Sequence, residues 1–221
     1  MRWIIKAFMQ RIFSRFAHPE KLNYFFQYKV TKNLPVSDEI FFQKASSAIS
    51  HSKTFIEVAK PCDISSVSFY EFGTGWDIII PLIYYGLGIR HQTLTDIRQN
   101  LRLDMVNDSL TRISKYADRL AGTANMPFRY PGLINIKGIR DIKEKFGIDY
   151  LTPVDSADTH LPAASFDFIS STETLEHIPK EDILKMLIQM DKIFLPDISN
   201  KKILVFCHAN HVIAEWSQEP G

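Results

Sequence analysis

Phe69-Tyr70-Glu71-Phe72-Gly73-Thr74-Gly75-Trp76 decides the reading of this chain, together with Thr93-Leu94-Thr95-Asp96 about twenty residues later. An apolar run climbs to an acidic residue and breaks into Gly-x-Gly. An apolar, helix-like segment follows, and a second short strand ends on a carboxylate. Strand, glycine turn, helix, strand and acid is the order that builds a pocket for a nucleoside. Glycine lets the backbone turn tightly and come close to a ligand. A carboxylate with two acceptor oxygens suits a ribose diol. Gly-x-Gly alone is a weak signal, because glycine also serves ordinary turns; the strand before it and the helix after it strengthen it. Asp96 is expected on the ribose, although the same residue can cap a segment starting near Arg98.

Working outward, strand and helix patterns alternate. Val67 to Phe72 reads as a strand and Ile78 to Leu87 as its helix, with Pro81 tolerated in the first turn. Gln92 to Thr95 is a second strand, and Leu101 to Leu120 a long helix. Gly122 to Gly132 is expected to be a loop that reaches over the pocket, and Ile139 to Phe146 a helix capped by Gly147. Strands follow at Ile148 to Leu151, Phe166 to Ser170 and Lys202 to Cys207, with a helix at Lys180 to Phe194. The alternation predicts an α/β fold, a Rossmann-like, doubly wound and mostly parallel sheet.

Residues 1–66 have a different rhythm and are expected to form a helical N-terminal region, with the main domain running over 67–221. Ile4, Ile5, Phe8, Ile12, Phe13 and Phe16 fall mostly on one face of a predicted helix over 2–16, and Arg2, Lys6, Arg11 and Arg15 punctuate the rest. Such a helix can pack on the domain, cover a site as a lid, or lie on a membrane surface. A second helix is predicted from Ser37-Asp38-Glu39 to about Lys60, ended by Pro61.

Composition excludes several classes. The net charge of +1 over 221 residues argues against a nucleic-acid binder held by bulk electrostatics. The charge is split: residues 1–66 carry 10 Lys+Arg against 5 Asp+Glu, and the rest carry 16 against 20. Cys62 and Cys207 are far apart and lack metal-type spacing, which fits a reducing, cytoplasmic compartment better than a disulfide framework. No apolar run reaches the ~18 residues of a membrane span. His208 and His211 beside Cys207 are a weak metal signal without a fourth partner, and no metal is expected.

Two later stretches complete the candidate site. In Pro153-Val154-Asp155-Ser156-Ala157-Asp158-Thr159-His160-Leu161-Pro162, short polar side chains follow a strand and can hydrogen-bond an adenine edge. Asp155 and Asp158 are both candidates there. In Ser165-Phe166-Asp167-Phe168-Ile169-Ser170-Ser171-Thr172-Glu173-Thr174-Leu175-Glu176-His177-Ile178-Pro179, an apolar strand emerges into small polar residues at its carboxyl end, where open α/β sheets hold ligands.

On these residues the chain resembles the class I S-adenosylmethionine-dependent methyltransferases, of the small-molecule type with Leu-Pro-x-x-Ser-Phe-Asp followed by Leu-Glu-His-Ile. The resemblance runs from about Ser66 to Cys207. It implies S-adenosyl-L-methionine as cofactor, with Glu71, Gly73, Thr74 and Gly75 along its methionine and adenosine portion, and Asp96 and Ile97 at the ribose. Asp155, Ser156 and Ala157 would flank adenine, and Ser170 and Ser171 would face the reacting centre. The sequence departs from the family pattern at Trp76 and Asp77, where glycine is common, and in the fifty residues between the second and third strands. Related domains continue into two further strands at an antiparallel edge, for which the tail from Ala209 to Gly221 is expected to be too short.

Methyl transfer from a sulfonium is an in-line displacement, so the protein mainly aligns nucleophile and methyl. A base is needed when the nucleophile must lose a proton. His177 and Glu173 are the candidates, with Glu176 beside them; the same residues can simply open the following helix. The acceptor is expected to be a small molecule or a glycan- or lipid-linked intermediate methylated at oxygen, with nucleic acid disfavoured. The competing reading is a non-catalytic module that keeps the cofactor fold. The oligomeric state is not legible.

Overall fold

A computed structural model describes residues 34–130, 132–175 and 178–194, and the backbone of 203–208 and 211–216. The predicted helix over 2–16 and the candidates Glu176 and His177 lie outside the described residues. The chain divides into two compact units, 1–40 and 41–221. In the first, the Ser37 hydroxyl accepts the Ile40 N–H at 3.3 Å, which caps the opening turn of helix α1 (Asp38–Ala59).

The larger unit is built on a six-stranded sheet: β1 (Ser68–Phe72), β2 (His91–Thr95), β3 (Ile148–Leu151), β4 (Phe168–Thr172), β5 (Ile203–His208) and β6 (His211–Trp216). The order is β3-β2-β1-β4-β5-β6. β1 pairs in parallel with both β2 and β4, and only β6 runs antiparallel, against β5. Chain order therefore reverses on either side of β1, the doubly wound arrangement that opens a crevice at the carboxyl ends of the central strands. The connecting helices are α2 (Ile79–Gly86), α3 (Leu103–Lys115), α4 (Ala117–Ala124), α5 (Ile139–Phe146) and α6 (Lys180–Ile193). No helix among the described residues is long and apolar enough to cross a membrane.

Three local differences from the sequence reading have physical causes. The long helix over 101–120 is two helices, broken at Tyr116, whose backbone leaves the helical region. The Tyr116 ring packs 4.9 Å from Phe42 and 6.1 Å from Phe41, so an aromatic contact with α1 fixes the break. The second helix carries the chain to Ala124, where Asn125 turns it with a left-handed φ of 49°, and the loop expected from Gly122 begins there. The fourth strand starts at Phe168, two residues later than its apolar run. Asp167 ends that approach by tying the β4 start to β1: its carboxylate accepts the Ser68 N–H at 2.8 Å and its N–H reaches the Ser68 carbonyl at 2.9 Å. Of the two further strands in the family pattern, the described residues of the tail hold one, β6.

Alternation along β1 and β4 sends their side chains to two layers. Tyr70, Phe72 and Ile169 pack with Met186, Met190 and Ile193 of α6. Phe69 and Phe168 face the other way, where the Phe168 ring stacks on Phe55 of α1 at 4.8 Å and meets Tyr84 of α2 edge-on at 5.6 Å. From Phe41 onward α1 belongs to this larger unit, and burial of Phe41, Ala45, Ala48, Ile49 and Phe55 shows that it turns an apolar stripe to the unit's own core.

Candidate cofactor-binding site

The Gly-x-Gly turn leaves β1 at its carboxyl end and bends over the end of β2. The Gly73 N–H donates to the Thr95 carbonyl at 2.9 Å, and the Thr74 hydroxyl reaches the same carbonyl at 3.2 Å. Both glycines hold left-handed backbone, φ 73° at Gly73 and 74° at Gly75. Their surroundings differ. A Cβ on Gly73 would collide with the Thr174 side chain, whereas one on Gly75 would meet nothing within 4 Å. The Thr174 hydroxyl lies 3.1 Å from the Thr172 carbonyl and 3.3 Å from that of Gly73, so the ends of β1 and β4 are held together here. Gly73 thus permits strand-end packing, and Gly75 leaves open space.

Asp96 stands at the end of β2, only 6% exposed. One oxygen, Oδ2, accepts the Gly75 N–H at 3.0 Å; the other, Oδ1, accepts the Arg98 N–H at 3.2 Å and the Asn100 side-chain amide at 3.1 Å. The capping reading of this residue is met, and its second oxygen takes a bond to the glycine turn that the sequence did not suggest. Oδ1 caps the turn that starts at Arg98, and Oδ2 anchors the glycine turn. With two lone-pair sites per oxygen, Oδ2 retains one for a ligand hydroxyl.

A cavity of about 460 Å³ opens at these strand ends, a size suited to a small cofactor. Gly73, Asp96, Ile97, Asp155, Ser156 and Ala157 all line it, which brings together six of the residues singled out in the sequence. The Asp155–Asp158 segment is a tight turn in which Asp155 Oδ1 accepts the Ala157 N–H at 2.8 Å. Asp155 and Asp158 both line the cavity. The remaining wall includes residues to which the sequence reading gives no role, such as Phe72, Thr95, Ile178 and Met186. Phe72 and Met186 belong to the apolar layer under α6, and only the folded sheet turns that layer into a cavity floor.

Glu71, Thr74, Gly75, Ser170 and Ser171 do not line this cavity. Ser171 is buried, and its hydroxyl donates to the Phe72 carbonyl at 3.2 Å, a structural bond between β4 and β1. Glu71 and Ser170 are register partners on β1 and β4 and project to the α1 side. Glu71 is 3% exposed, and its Oε2 has no hydrogen-bond partner; neither has the Ser170 hydroxyl. Burial pushes the Glu71 carboxyl up to about 8; the Lys44 charge opposes the rise and the Asp77 charge adds to it. Glu173, at the end of β4, is exposed and holds a left-handed φ of 54°, uncommon for a residue with a Cβ.

Sequence reasoning missed Lys44, which lies on α1. Its ammonium bonds the Asp77 carboxylate at 2.9 and 3.2 Å. Burial works to lower its pKa, but Asp77 beside it, with Glu71 and Glu173 further off, carries it above the ordinary lysine value. Asp77 also accepts the Ile79 N–H at 3.2 Å, so it starts α2 and pairs with Lys44 at once. The only sequence hint was the position of Lys44 between Phe41 and Ala45 on the apolar side of α1.

No family model matches the chain, and no curated protein matches it. Solved structures do resemble it. A S-adenosylmethionine-dependent methyltransferase from Mesorhizobium loti is 15% identical, with a TM-score of 0.39 over 67% of this chain and 49% of that one. Phosphoethanolamine N-methyltransferase 1 of Haemonchus contortus is 10% identical, with a TM-score of 0.40 over 87% of this chain and 33% of that one. The PH0226 protein of Pyrococcus horikoshii is 12% identical, with a TM-score of 0.44 over 83% and 65%. The chain thus spans about half the length of the first of these and a third of the second. The fold class, a doubly wound α/β domain with its crevice at the switch point, rests on strand order and pairing.

Proposed function

We propose that the chain binds S-adenosyl-L-methionine and transfers its methyl group to a small-molecule or glycan- or lipid-linked acceptor, at oxygen. The observation that carries this reading is the convergence of Gly73, Asp96, Ile97 and the 155–157 turn on one cavity at the switch point. The residues present fit the cofactor: a buried carboxylate with an orphaned oxygen stands at one end of the glycine turn, open space lies over Gly75, and an acceptor site remains on Asp96.

When bound, the cofactor supplies an activated methyl on a sulfonium. The chain's part is to orient and to exclude water. Asp96 Oδ2 accepts a ribose hydroxyl, and Ile97 with the 155–157 turn flanks the base. Glu71, whose carboxyl is pushed up to about 8 by burial, takes an ammonium group by giving up its proton to solvent. At the end of β4, Glu173 is a carboxylate available to an acceptor's proton, and His177 shares that role in our reading. The segment 2–16, through Arg2, Lys6, Arg11 and Arg15, serves as contact to a membrane surface bearing lipid-linked substrates, and the protein works in the cytoplasm.

Calorimetry with S-adenosylmethionine and S-adenosylhomocysteine on the chain and on Asp96→Ala tests the reading. Binding that Asp96→Ala weakens roughly 10-fold or more supports it. A folded chain that binds neither ligand overturns it. Sedimentation with anionic vesicles tests the membrane contact separately, and no co-sedimentation removes it.

A further inference from the structure

A second cavity opens at the other end of the sheet, beside the amino ends of the parallel strands β1 and β2. It holds about 220 Å³, and its wall carries two guanidinium groups, Arg90 and Arg129, and no carboxylate. Arg90 comes just before β2. Its guanidinium carbon stands 3.9 Å over the Tyr85 ring, and that ring meets Phe146 edge-on at 5.1 Å, so the cation is held in place. Its Nη1 is sealed from water without a hydrogen-bond partner. A buried donor left so costs free energy comparable to a lost hydrogen bond. Arg129 is brought to the rim by its backbone, whose N–H donates to the Gly86 carbonyl at 2.8 Å. Among the described residues, no ion pair and no side-chain hydrogen bond engages either guanidinium.

The neighbours that could neutralise these charges are committed elsewhere. Asp63 turns both carboxylate oxygens onto Ser65, accepting its N–H at 2.9 Å and its hydroxyl at 2.7 Å. The carbonyls at the end of α2 accept backbone N–H groups: Ile83 and Tyr84 from Leu87 at 3.0 and 3.1 Å, and Tyr85 from Gly88 at 3.0 Å. What remains for a ligand is two cations beside the apolar surface of Ile64, Leu87 and Pro127. We propose that this cavity binds the phosphate of a phosphomonoester. The two guanidinium forks share its three oxygens, and a dianion matches two arginines where a carboxylate neutralises only one. The apolar surface takes the first carbons of the ester's stem. The volume is less than half that of the adenosyl cavity, which suits a phosphate with a short stem. The two cavities share no residue, so this site stands or falls independently of the cofactor reading.

Calorimetry on the full chain, with inorganic phosphate and acetate titrated at fixed ionic strength, tests the site. The wild-type chain is expected to bind phosphate at least ~10-fold tighter than acetate. Arg90→Met and Arg129→Met are each expected to weaken phosphate roughly 10-fold or more. Lys192→Gln removes an exposed charge on α6, outside the cavity, and is expected to change binding by less than ~2-fold. Arg129 is exposed, so its variant keeps the test open if Arg90→Met fails to fold; an unchanged circular dichroism spectrum reports that it is folded. Sedimentation with phosphatidylcholine vesicles, with and without phosphatidic acid, separates two sources of the phosphate. Phosphatidic acid-dependent sedimentation that Arg129→Met abolishes assigns a lipid-borne phosphate, and phosphate binding without it assigns a soluble phosphomonoester. A folded wild-type chain that binds neither inorganic phosphate nor phosphatidic acid overturns the inference. So does acetate that binds as tightly as phosphate, and so does phosphate binding that Lys192→Gln weakens as much as the arginine variants do.

Discussion

The two faces of the β1–β4 pair are covered by different chemistry, although the same two strands supply both. Toward α6, Tyr70, Phe72 and Ile169 meet methionine and isoleucine side chains, and the polar atoms there are satisfied: the Tyr70 hydroxyl pairs with that of Thr95 at 2.7 Å and Ser171 bonds the Phe72 carbonyl. Toward α1 and α2, the amino-terminal half of the strands is as apolar, with Phe69 and Phe168 among Phe55 and Tyr84. The carboxyl-terminal half is not. Glu71, Ser170 and the Ser52 hydroxyl of α1 are buried with unpaired atoms, and His51, bonded to the Tyr84 hydroxyl at 3.2 Å, is held neutral by burial, which lowers its pKa to about 4. The α6 face is a core with satisfied polar atoms whose upper edge, at Phe72 and Met186, floors the cavity. The other is a core for half its length and, above that, an arrangement that makes sense as a site, because orphaned polar atoms reduce stability unless a ligand engages them.

The largest expected effect tests whether the lower half of the α1 face is true core. Phe168→Ala removes a ring packed against Phe55, Phe69 and Tyr84 and is expected to cost about 3–5 kcal/mol in denaturant unfolding. A cost below about 1 kcal/mol would break the comparison by showing that α1 packs loosely there.

Glu71→Gln probes the upper half. The folded-state pKa of Glu71, about 8, lies above its ordinary 4.5, so the folded chain holds a proton that the unfolded chain releases. Its contribution is fully present below pH about 4.5 and is lost as pH rises through about 8. Wild-type stability should therefore fall by a few kcal/mol relative to Glu71→Gln across that window, as read by paired unfolding curves. Parallel pH profiles would mean that Glu71 is solvated or paired.

The smallest effects sharpen the contrast between neighbours in one strand. Ser171→Ala deletes a made hydrogen bond and is expected to cost about 1 kcal/mol. Ser170→Ala deletes an orphaned hydroxyl and is expected to change stability by less than about 0.5 kcal/mol, or to raise it. Equal costs at the two positions, measured by the same thermal scans, would erase the difference between the faces.

Much of this was legible before folding. The Glu71–Gly75 turn, Asp96 and the 155–157 turn announce themselves by residue type and spacing, and the structure brings Gly73, Asp96 and that turn to one cavity. The Ser-Phe-Asp approach was legible as a motif, but Asp167 proves to be a tie between β4 and β1. Ser170 and Ser171, adjacent in sequence and read as a pair, separate to opposite faces, because a strand alternates with a period of two residues.

By itself the sequence determined the order of strands and helices, the glycine turn and the acid that follows it. These depend on local periodicity and on backbone freedom at particular residues, which are properties of neighbours in the chain. Only the tertiary structure decided that Lys44 meets Asp77 thirty-three residues away, that Glu71 is sealed from water, and that Phe72 and Met186 floor a cavity. Those outcomes depend on which side of the sheet each side chain takes and on what helix covers it. Burial and charge proximity are fixed by packing between distant segments, and no local pattern encodes them.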